Sequence, residues 1–384
     1  LEVITVHEDD PYVNPLGIQG DSRFASNQED FSVDLVWTSA GKLTADSYAV
    51  EMKIPFKSIR YAGKERVEMA IFFERYISRT TEHGSIPELD PARGYAFLSQ
   101  MQSLELRDIQ RYTLFEVLPS FVFSQRHERD EQGQLQRSLS RGEFGLTGKL
   151  GITSQLILDV TWNPDFSQVE SDAGQVDANL RYALFYDEKR PFFLEGSEMF
   201  KLAGSSPFQA AVHTRQIVDP VLGFKLSGKL GKKDSLAAIF ALDDISGNLE
   251  SEPDLSDKAG FFLFRYKRAL ADDGYLGLFY TGREQGETYN RLSGIDGQIR
   301  LSKAGMLSLH GFASFSENQL TTEANGHALA VNYDYSTRDL GYGAGVYSIS
   351  SHFSSDSGYL TRNGVIGFNG NIAPKFYPQF QWLR

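Results

Sequence analysis

The sequence predicts an all-β protein in which an antiparallel, transmembrane-type β-barrel follows a smaller β unit. Apolar and polar residues alternate with a period of two over many segments of roughly nine to eleven residues, the length that spans a bilayer when a strand is tilted. The 384 residues include 28 Phe, 18 Tyr and 35 Gly, a composition that favours strands, tight turns and aromatic girdles. Short turns at one end of successive hairpins and longer polar links at the other are typical of membrane barrels.

Composition also excludes several classes of function. A formal charge of -12 and a pI near 5.2 argue against a nucleic-acid partner, because phosphate requires a basic face. The absence of Cys excludes disulfides and thiolate metal sites and suits passage through an oxidising periplasm. The seven His show no metal-binding spacing, so we expect no metal and no organic cofactor.

Residues 1–105 predict a first β unit, for which a family resemblance described below implies a partial β-sandwich. Residues 31–37 alternate, and Tyr48 to Ile54 alternate again after turn residues, which predicts a hairpin that Pro55 ends because proline lacks an amide hydrogen. Val67 to Tyr76 reads as a further strand, and Thr80 to Gly94 as a loop. The chain opens on Leu1 without Met or a signal sequence, so we expect a mature or truncated fragment.

Residues 106–384 predict the barrel. Two hairpins share the sequence Gly-Lys-Leu-Gly, at residues 148–151 and 228–231. Their apolar stripes are Phe144, Leu146, Leu150 and Ile152; Leu156, Leu158, Val160 and Trp162; Leu222, Phe224, Leu226 and Leu230; and Leu236, Ala238, Phe240 and Leu242. A soluble sandwich or propeller also alternates, and strand length and loop asymmetry favour the barrel. Candidate girdle aromatics are Tyr112, Phe115, Tyr275, Phe279, Tyr280, Tyr333 and Tyr335. The last residues begin a strand, so we expect the natural product to continue and close the barrel.

The stretch 163–196 interrupts the alternation. It crowds carboxylates and two cations beside phenylalanines, a mixture suited to a segment packed inside a β structure with its charges paired. We expect it to form an internal plug or collar.

Two motifs in this stretch carry a family resemblance. NPDFSQVE at 163–170 and EKRPFFLEG at 188–196 resemble the signature of bacterial outer-membrane barrels of unknown function, in which the barrel follows a family 9 carbohydrate-binding module. The motif residues are Asn163, Pro164, Asp165, Phe166, Glu188, Lys189, Arg190, Pro191, Phe192, Phe193, Glu195 and Gly196. The resemblance implies an architecture and a place in the outer membrane, with lipid as a partner and the first unit in the periplasm.

The first unit resembles the C-terminal half of a family 9 module, a β-sandwich. The residues concerned are 14–17, 36–40 and 50–60. The early strands of such a module are missing, so its sugar-binding residues cannot be assigned. Trp37 could stack on a sugar ring, although packing in a sandwich core also explains a lone Trp in an alternating strand.

The carboxylates of the central stretch are the candidates for catalysis. Two of Asp165, Glu170 and Glu195 could flank a glycosidic bond as acid and base or nucleophile. Lys189 and Arg190 are at hand to neutralise them, which favours a structural ion-pair network and predicts no catalytic residue. The sequence therefore favours an outer-membrane barrel with a carbohydrate-binding-like domain, binding or transporting envelope glycans. The alternative is a secreted carbohydrate-active protein, which as an enzyme would hydrolyse O-glycosyl bonds.

Overall fold

The computed structural model describes residues 2–6, 9–25, 28–30, 35–59, 61, 66–90, 100–109, 113–129, 135–164, 184–245, 258–271, 273–318 and 321–376. The strands of the first part of the chain are β1 (Glu2–Val6), β2 (Asp9–Val13), β3 (Gln19–Ala25), β4 (Gln28–Asp30), β5 (Thr38–Leu43), β6 (Tyr48–Lys53), β7 (Arg66–Ile77), β8 (Glu82–Ile86) and β9 (Gln102–Arg107). They pair in the order β4-β3-β2-β1-β7-β8, with β9 also on β7 and β5 paired with β6.

This N-terminal unit differs from the sequence prediction in two places. The hairpin partner of β6 is β5, while Leu35 to Trp37 are not in a strand and residues 31–34 lie outside the described residues. The predicted loop between Thr80 and Gly94 contains β8, which pairs with β7. Polar composition concealed this strand, since β8 is largely solvent-exposed.

The second part of the chain is dominated by one large antiparallel sheet. Its elements are β10 (Phe115–Arg129), β11 (Leu135–Gly151), β12 (Leu156–Trp162), α1 (Pro191–Leu194), β13 (Phe208–Ala210), β14 (Pro220–Lys229), β15 (Asp234–Asp244), β16 (Lys258–Ala269), β17 (Tyr275–Gln285), β18 (Thr288–Arg300), β19 (Gly305–Asn318), β20 (Thr321–Ser336), β21 (Leu340–Ile349), β22 (Tyr359–Leu360) and β23 (Val365–Pro374). Twelve strands follow one another in the order β10-β11-β12-β14-β15-β16-β17-β18-β19-β20-β21-β23, and β13 pairs with β22. The predicted all-β fold class is confirmed. No helix among these described residues is long and apolar enough to cross a membrane.

The two faces of this sheet have opposite character. The outer face exposes large apolar side chains on most of its strands: Phe115, Phe121, Phe144, Leu146, Trp162, Phe224, Phe240, Phe262, Leu276, Leu278, Ile295, Phe315, Leu329, Val331, Val346, Ile366 and Phe368. The inner face buries polar and charged groups, among them Asp159, Lys225, Asp243, Arg265, Asp296, His310 and Asn332. The apolar stripes predicted from the sequence thus lie on the exposed outer face.

Charges on the outer face of β16 stand only at the ends of the strand. The outward-facing residues of β16 have even numbers, and they are Lys258, Gly260, Phe262, Phe264, Tyr266 and Arg268. The ten residue steps from Lys258 to Arg268 cover about 34 Å of strand, or about 26 Å along the axis of a barrel with strands tilted by about 40°. This distance matches the apolar band of roughly 25 Å that membrane barrels present to lipid.

Residues 184–217, hereafter the inner segment, lie against the inner face and show that the sheet is curved. Glu195 contacts Lys149 on β11, and Ser205 contacts Asn332 on β20, eight strands further along the sheet order. Eight strand spacings on a flat sheet would separate these contacts by about 38 Å. Ten residues extend to at most about 36 Å, and residues 197–200 are wound in a 3-10 turn. The sheet therefore wraps around the inner segment.

Two of the aromatic residues predicted to form a girdle lie on the inner face of the sheet. Tyr275 and Phe279 are 7% and 3% exposed and face the inner segment, so their assignment to a girdle is wrong. Both lie beneath the guanidinium of Arg265. Phe115 is exposed on the outer face, whereas Tyr112 lies outside the described residues.

Candidate functional site

The motif Glu188-Lys189-Arg190 folds onto itself before α1. Glu188 Oε1 accepts from Arg190 Nε at 2.9 Å and from the amides of Lys189 and Arg190, while Oε2 accepts from Arg190 Nη2 at 2.8 Å. Thr214 Oγ1 also donates to Oε2 at 2.6 Å. Arg190 in turn donates to the carbonyls of Ile217 and Thr214, at 2.6 and 2.7 Å. A two-residue spacing suffices for this bidentate pair, which closes the inner segment on itself.

Glu188 is expected to make folding stability depend on pH. Burial opposes its ionisation, but hydrogen bonds and charge from Arg190, with the Thr214 hydroxyl, hold the pKa of Glu188 below its usual 4.5. The stabilisation is therefore present above about pH 4.5 and is lost as the pH falls through the lower folded pKa. Glu188→Gln should reduce the free energy of unfolding at pH 7 by about 1–3 kcal/mol, as measured by urea titration.

The difference between wild type and Glu188→Gln should shrink as the pH is lowered below about 4.5. Lys189→Gln is the control, because it removes a neighbouring charge and leaves the Glu188 side chain in place. A difference that stays constant down to pH 3 would contradict the assigned role of the Glu188 charge.

Helix α1 carries the phenylalanines of the second motif into a buried cluster. Proline suits the first helical position, where no amide hydrogen is needed. Phe192 and Phe193 pack edge to face at 4.9 Å and join residues of the sheet's inner face, including Phe261 and Leu263. Gly196 then adopts a left-handed conformation with φ 81°, which a glycine accepts without steric cost.

A buried ion pair fixes the inner segment to β16 and β18. Arg265 Nη1 lies 2.5 Å from Asp296 Oδ1, and both side chains are fully buried. Asp296 Oδ2 also accepts from the amide of Ala203 at 3.1 Å and from Tyr275 at 3.0 Å. Arg265 Nε donates to the carbonyl of Met199 at 3.1 Å. Arg265 and Asp296 thus each form a hydrogen bond with the backbone of the inner segment as well as the ion pair with each other.

The same flank is reinforced by polar contacts with β19 and β20. His310 Nδ1 lies 2.8 Å from the carbonyl of Ala203, and its Nε2 lies 3.1 Å from Ser206 Oγ. Asn332 Nδ2 donates to the carbonyl of Ser205 at 3.3 Å. The loop 350–364 adds a further layer, because β22 within it pairs with β13 of the inner segment.

The opposite flank, beside β10 to β12, encloses a cavity of about 440 Å³. Glu116, Lys149, Asp159 and Glu195 contribute to its lining, together with apolar groups that include Phe192. Lys149 Nζ donates to Glu195 Oε2 at 2.6 Å and lies 3.9 Å from Asp159 Oδ1. This volume is within the usual range for small-molecule sites.

A second lysine stands behind the cavity. Lys225 is 2% exposed, lies 3.3 Å from Asp159 Oδ2 and donates to the carbonyl of Phe192 at 2.6 Å. Among the described residues, three carboxylates and the Lys149 ammonium line this cavity and the Lys225 ammonium lies behind it, an excess of one negative charge.

The residues singled out from the sequence fall into three groups. Asp165, Phe166 and Glu170 lie outside the described residues, so the structure gives no carboxylate separation for a glycosidase pair. Asn163 and Pro164 end the strand region, where Asn163 Nδ2 donates to the carbonyl of Phe144 at 3.1 Å. Residues 188–196 lie on the inner face as described above. Glu195 is held by Lys149 within the cavity wall.

Trp37 lies in the N-terminal unit and is 5% exposed. Its Nε1 donates to Asp21 Oδ1 at 2.5 Å, and its carbonyl accepts from Gln19 at 3.2 Å. This geometry is typical of a core tryptophan with a satisfied indole. Binding of a sugar by this ring stays a prediction.

Sequence reasoning did not identify Glu116, Lys149, Asp159 and Lys225 as site residues. Lys149 and Lys225 stand between the apolar residues of alternating strands, and this position is the signal that places them on the inner face. Among the described residues, no group of three or more His, Asp or Glu is arranged to hold a metal ion.

Comparison with known proteins gives one family match and several distant structural likenesses. Residues 118–205 match the model of a domain of unknown function, DUF5916. The chain is 9% identical to the Pseudomonas aeruginosa protein OpdK, solved with vanillate, covering 91% of this chain and 65% of that one with a TM-score of 0.28. The chain therefore spans about two thirds of that protein.

Two further solved structures are similar in the same way. OccK8 (OprE) of Pseudomonas aeruginosa is 11% identical, with 83% of this chain and 69% of that one covered and a TM-score of 0.30. OmpT, an outer membrane protein of Vibrio cholerae, is 8% identical, with 97% and 92% covered and a TM-score of 0.31. A search of curated protein sequences finds no match.

Proposed function

We propose that this chain is part of a bacterial outer-membrane β-barrel, with the N-terminal unit in the periplasm and the inner segment filling part of the lumen. Its role is the binding or transport of envelope glycans or related solutes, and not catalysis. The carrying observation is the inversion of the large sheet: exposed apolar side chains cover its outer face while charged groups are buried inside. Water-soluble monomers rarely expose an apolar surface of this extent.

The proposed periplasmic end of the sheet is the one at which every described turn is short, whereas the other end has the long links from β12 to β14, β15 to β16 and β21 to β23 beside the short turns from β17 to β18 and β19 to β20. The turns joining β11 to β12, β14 to β15, β16 to β17, β18 to β19 and β20 to β21 lie at this end. Strand β10 starts there too, because the amide of Gly151 donates to the carbonyl of Leu114. Arg23 of the N-terminal unit lies 3.5 Å from Glu198 of the inner segment. These positions favour an N-terminal unit on the side of the short turns, which in membrane barrels is periplasmic.

The glycan part of the proposal has two supports. It derives from the resemblance of residues 14–17, 36–40 and 50–60 to a family 9 module. The cavity adds carboxylates and an ammonium beside an aromatic ring, groups able to contact hydroxyls and a sugar face. Glu195 pairs with Lys149 and Asp159 pairs with Lys225, so both carboxylates have a cationic partner, which favours a structural or binding role.

Membrane fractionation and gel mobility of the full-length protein test the location. We expect the protein to remain in the outer-membrane fraction, to require detergent for extraction, and to migrate differently when unheated and when boiled, because a folded barrel resists the gel detergent. Extraction in aqueous buffer would refute the membrane proposal and favour a secreted carbohydrate-active protein.

Oligosaccharide binding by the same detergent-solubilised protein tests the role. Calorimetric titration with envelope glycans should give saturable heat, which Trp37→Phe should lower if the N-terminal unit binds and Glu195→Gln should lower if the cavity binds. Membrane location without heat from any glycan would retain the barrel and exclude the glycan role.

A further inference from the structure

The inner segment is held unequally by the two sides of the sheet. On the side of β15 to β20, its residues Phe200, Phe208 and Ile217 are buried in one apolar cluster with the wall. The buried pair of Arg265 with Asp296 and the contacts of His310 add polar fixation there. Close packing of this kind resists separation, because each lost contact leaves a cavity or an unpaired charge.

On the side of β10 to β12, the described contacts of the inner segment are fewer. The pair of Lys149 with Glu195 is partly buried, with side chains that are 28% and 27% exposed, so solvent screens it more than the closed pair of Arg265 with Asp296. The buried contact of Lys225 with the carbonyl of Phe192 lies beneath it. The cavity lies between Pro191 to Glu195 and the described residues of β10 to β12. This flank, between Pro191 to Glu195 and β10 to β12, is called the seam below.

The charges along the seam favour a positive solute. Glu116 and Glu195 line the cavity with Asp159, and the Lys149 ammonium is engaged by Glu195. Lys225 is turned away towards Asp159 and a backbone carbonyl. An opening whose described residues carry an excess of negative charge attracts cations and repels anions, and low-dielectric walls strengthen this preference.

We propose that solutes pass along the seam, with Glu116, Lys149 and Glu195 forming a charged constriction that selects small cations and amine-bearing solutes over anions. This inference rests on the proposed outer-membrane location and adds the route and the charge preference. The inner segment stays anchored to β15 to β20 while solutes cross on its other side.

Reversal potentials in planar bilayers test the charge preference, with a gradient of potassium chloride as the probe. Wild type should be cation-selective. Glu116→Gln and Glu195→Gln should each lower the cation-to-anion permeability ratio about two- to fivefold at low salt, and Lys149→Met should raise it. Glu284→Gln, on the outer side of β17, is the matched control and should leave the ratio unchanged.

Cross-linking tests the route, since the 384 residues contain no cysteine. A short bifunctional thiol reagent joining Lys149→Cys to Glu195→Cys should reduce conductance at least about tenfold by closing the seam. A reducible linker should allow full recovery. The control joins Ser205→Cys to Asn332→Cys on the anchored side, where conductance should stay within about twofold of the unlinked protein.

Failure of this inference is distinguishable from failure of the proposed function. A protein that inserts and shows the gel shift but conducts no ions, or conducts with unchanged selectivity in the three variants, overturns the seam and keeps the barrel. Block by the control cross-link alone would place the route on the other flank. A protein that does not enter membranes refutes both.

Discussion

Replacing Phe240 by arginine is expected to destabilise the folded protein in lipid by about 2–4 kcal/mol, the cost of an arginine near the middle of a bilayer. Phe240 is 39% exposed on the outer face of β15, near the middle of the strand, and its strand neighbours there are Phe224 and Phe262. These apolar neighbours offer an arginine side chain no hydrogen-bond acceptor at the level of the apolar band. Urea titration of protein refolded into vesicles measures the change.

Leu301→Arg is the matched control. Leu301 is 59% exposed and follows β18 in a short turn, where the side chain reaches the interface. The cost there should be about 0–1 kcal/mol. In a water-soluble protein both substitutions would change stability by no more than about 0.5 kcal/mol. Equal effects at the two positions would therefore show that this face does not contact lipid.

Existing charges on the outer face support this expectation. Arg268 pairs with Asp234 at 3.1 Å near the short turns, and Arg291 pairs with Glu284 at 2.6 Å near the opposite ends of the strands. Both arginines sit beyond the apolar middle of their strands. The sequence thus tolerates arginine on this face where a headgroup region would be.

The outer face was predictable because the strands of the large sheet all present apolar side chains on this face. Alternation of Leu222, Phe224 and Leu226 with glycine, lysine and serine gave the correct face without any knowledge of partners. Register and order followed from short turns. The predicted fold class depends on these local signals, which explains why it was obtained from residues alone.

The inner face was less predictable because the inner segment packs apolar side chains against it, so both faces of the sheet carry apolar residues. Strand β16 reads Phe261-Phe262-Leu263-Phe264 without alternation, since its odd residues meet the inner segment and its even residues face outward. The same packing turned Tyr275 and Phe279 inward, against the girdle assignment. Two-residue alternation identifies a strand that has one apolar face. The alternation disappears where both faces of the strand are apolar.

Contacts between distant parts of the chain were not accessible from sequence. Glu195 was grouped with Asp165 and Glu170 by proximity along the chain, yet its partner is Lys149, 46 residues away. By contrast, the local pair of Glu188 with Arg190 lies within the reach that sequence spacing indicates. The ion-pair interpretation of the motif charges was made from composition, but the identity of each partner depends on how the sheet wraps.

Arg265→Met is expected to cost about 3–5 kcal/mol, because it leaves the buried carboxylate of Asp296 without its cation. Asp296 would retain hydrogen bonds from Ala203 and Tyr275 but would carry an uncompensated charge in a site closed to solvent. Asp296→Asn should be similarly costly, since it strands the guanidinium of Arg265 above the ring of Phe279. Urea titration in lipid vesicles and loss of the unheated gel band measure both effects.

The double variant Arg265→Met with Asp296→Asn decides between a charge effect and loss of packing. It removes both buried charges and keeps an oxygen that can accept from Ala203, so it should be more stable than either single variant. Arg268→Met, on the outer side of the same strand in a pair that is 57% exposed at the arginine, should cost less than about 1 kcal/mol. Additive effects of the two inner substitutions would mean that the pair does not act as a unit, and the anchoring of the inner segment would then depend on the apolar cluster alone.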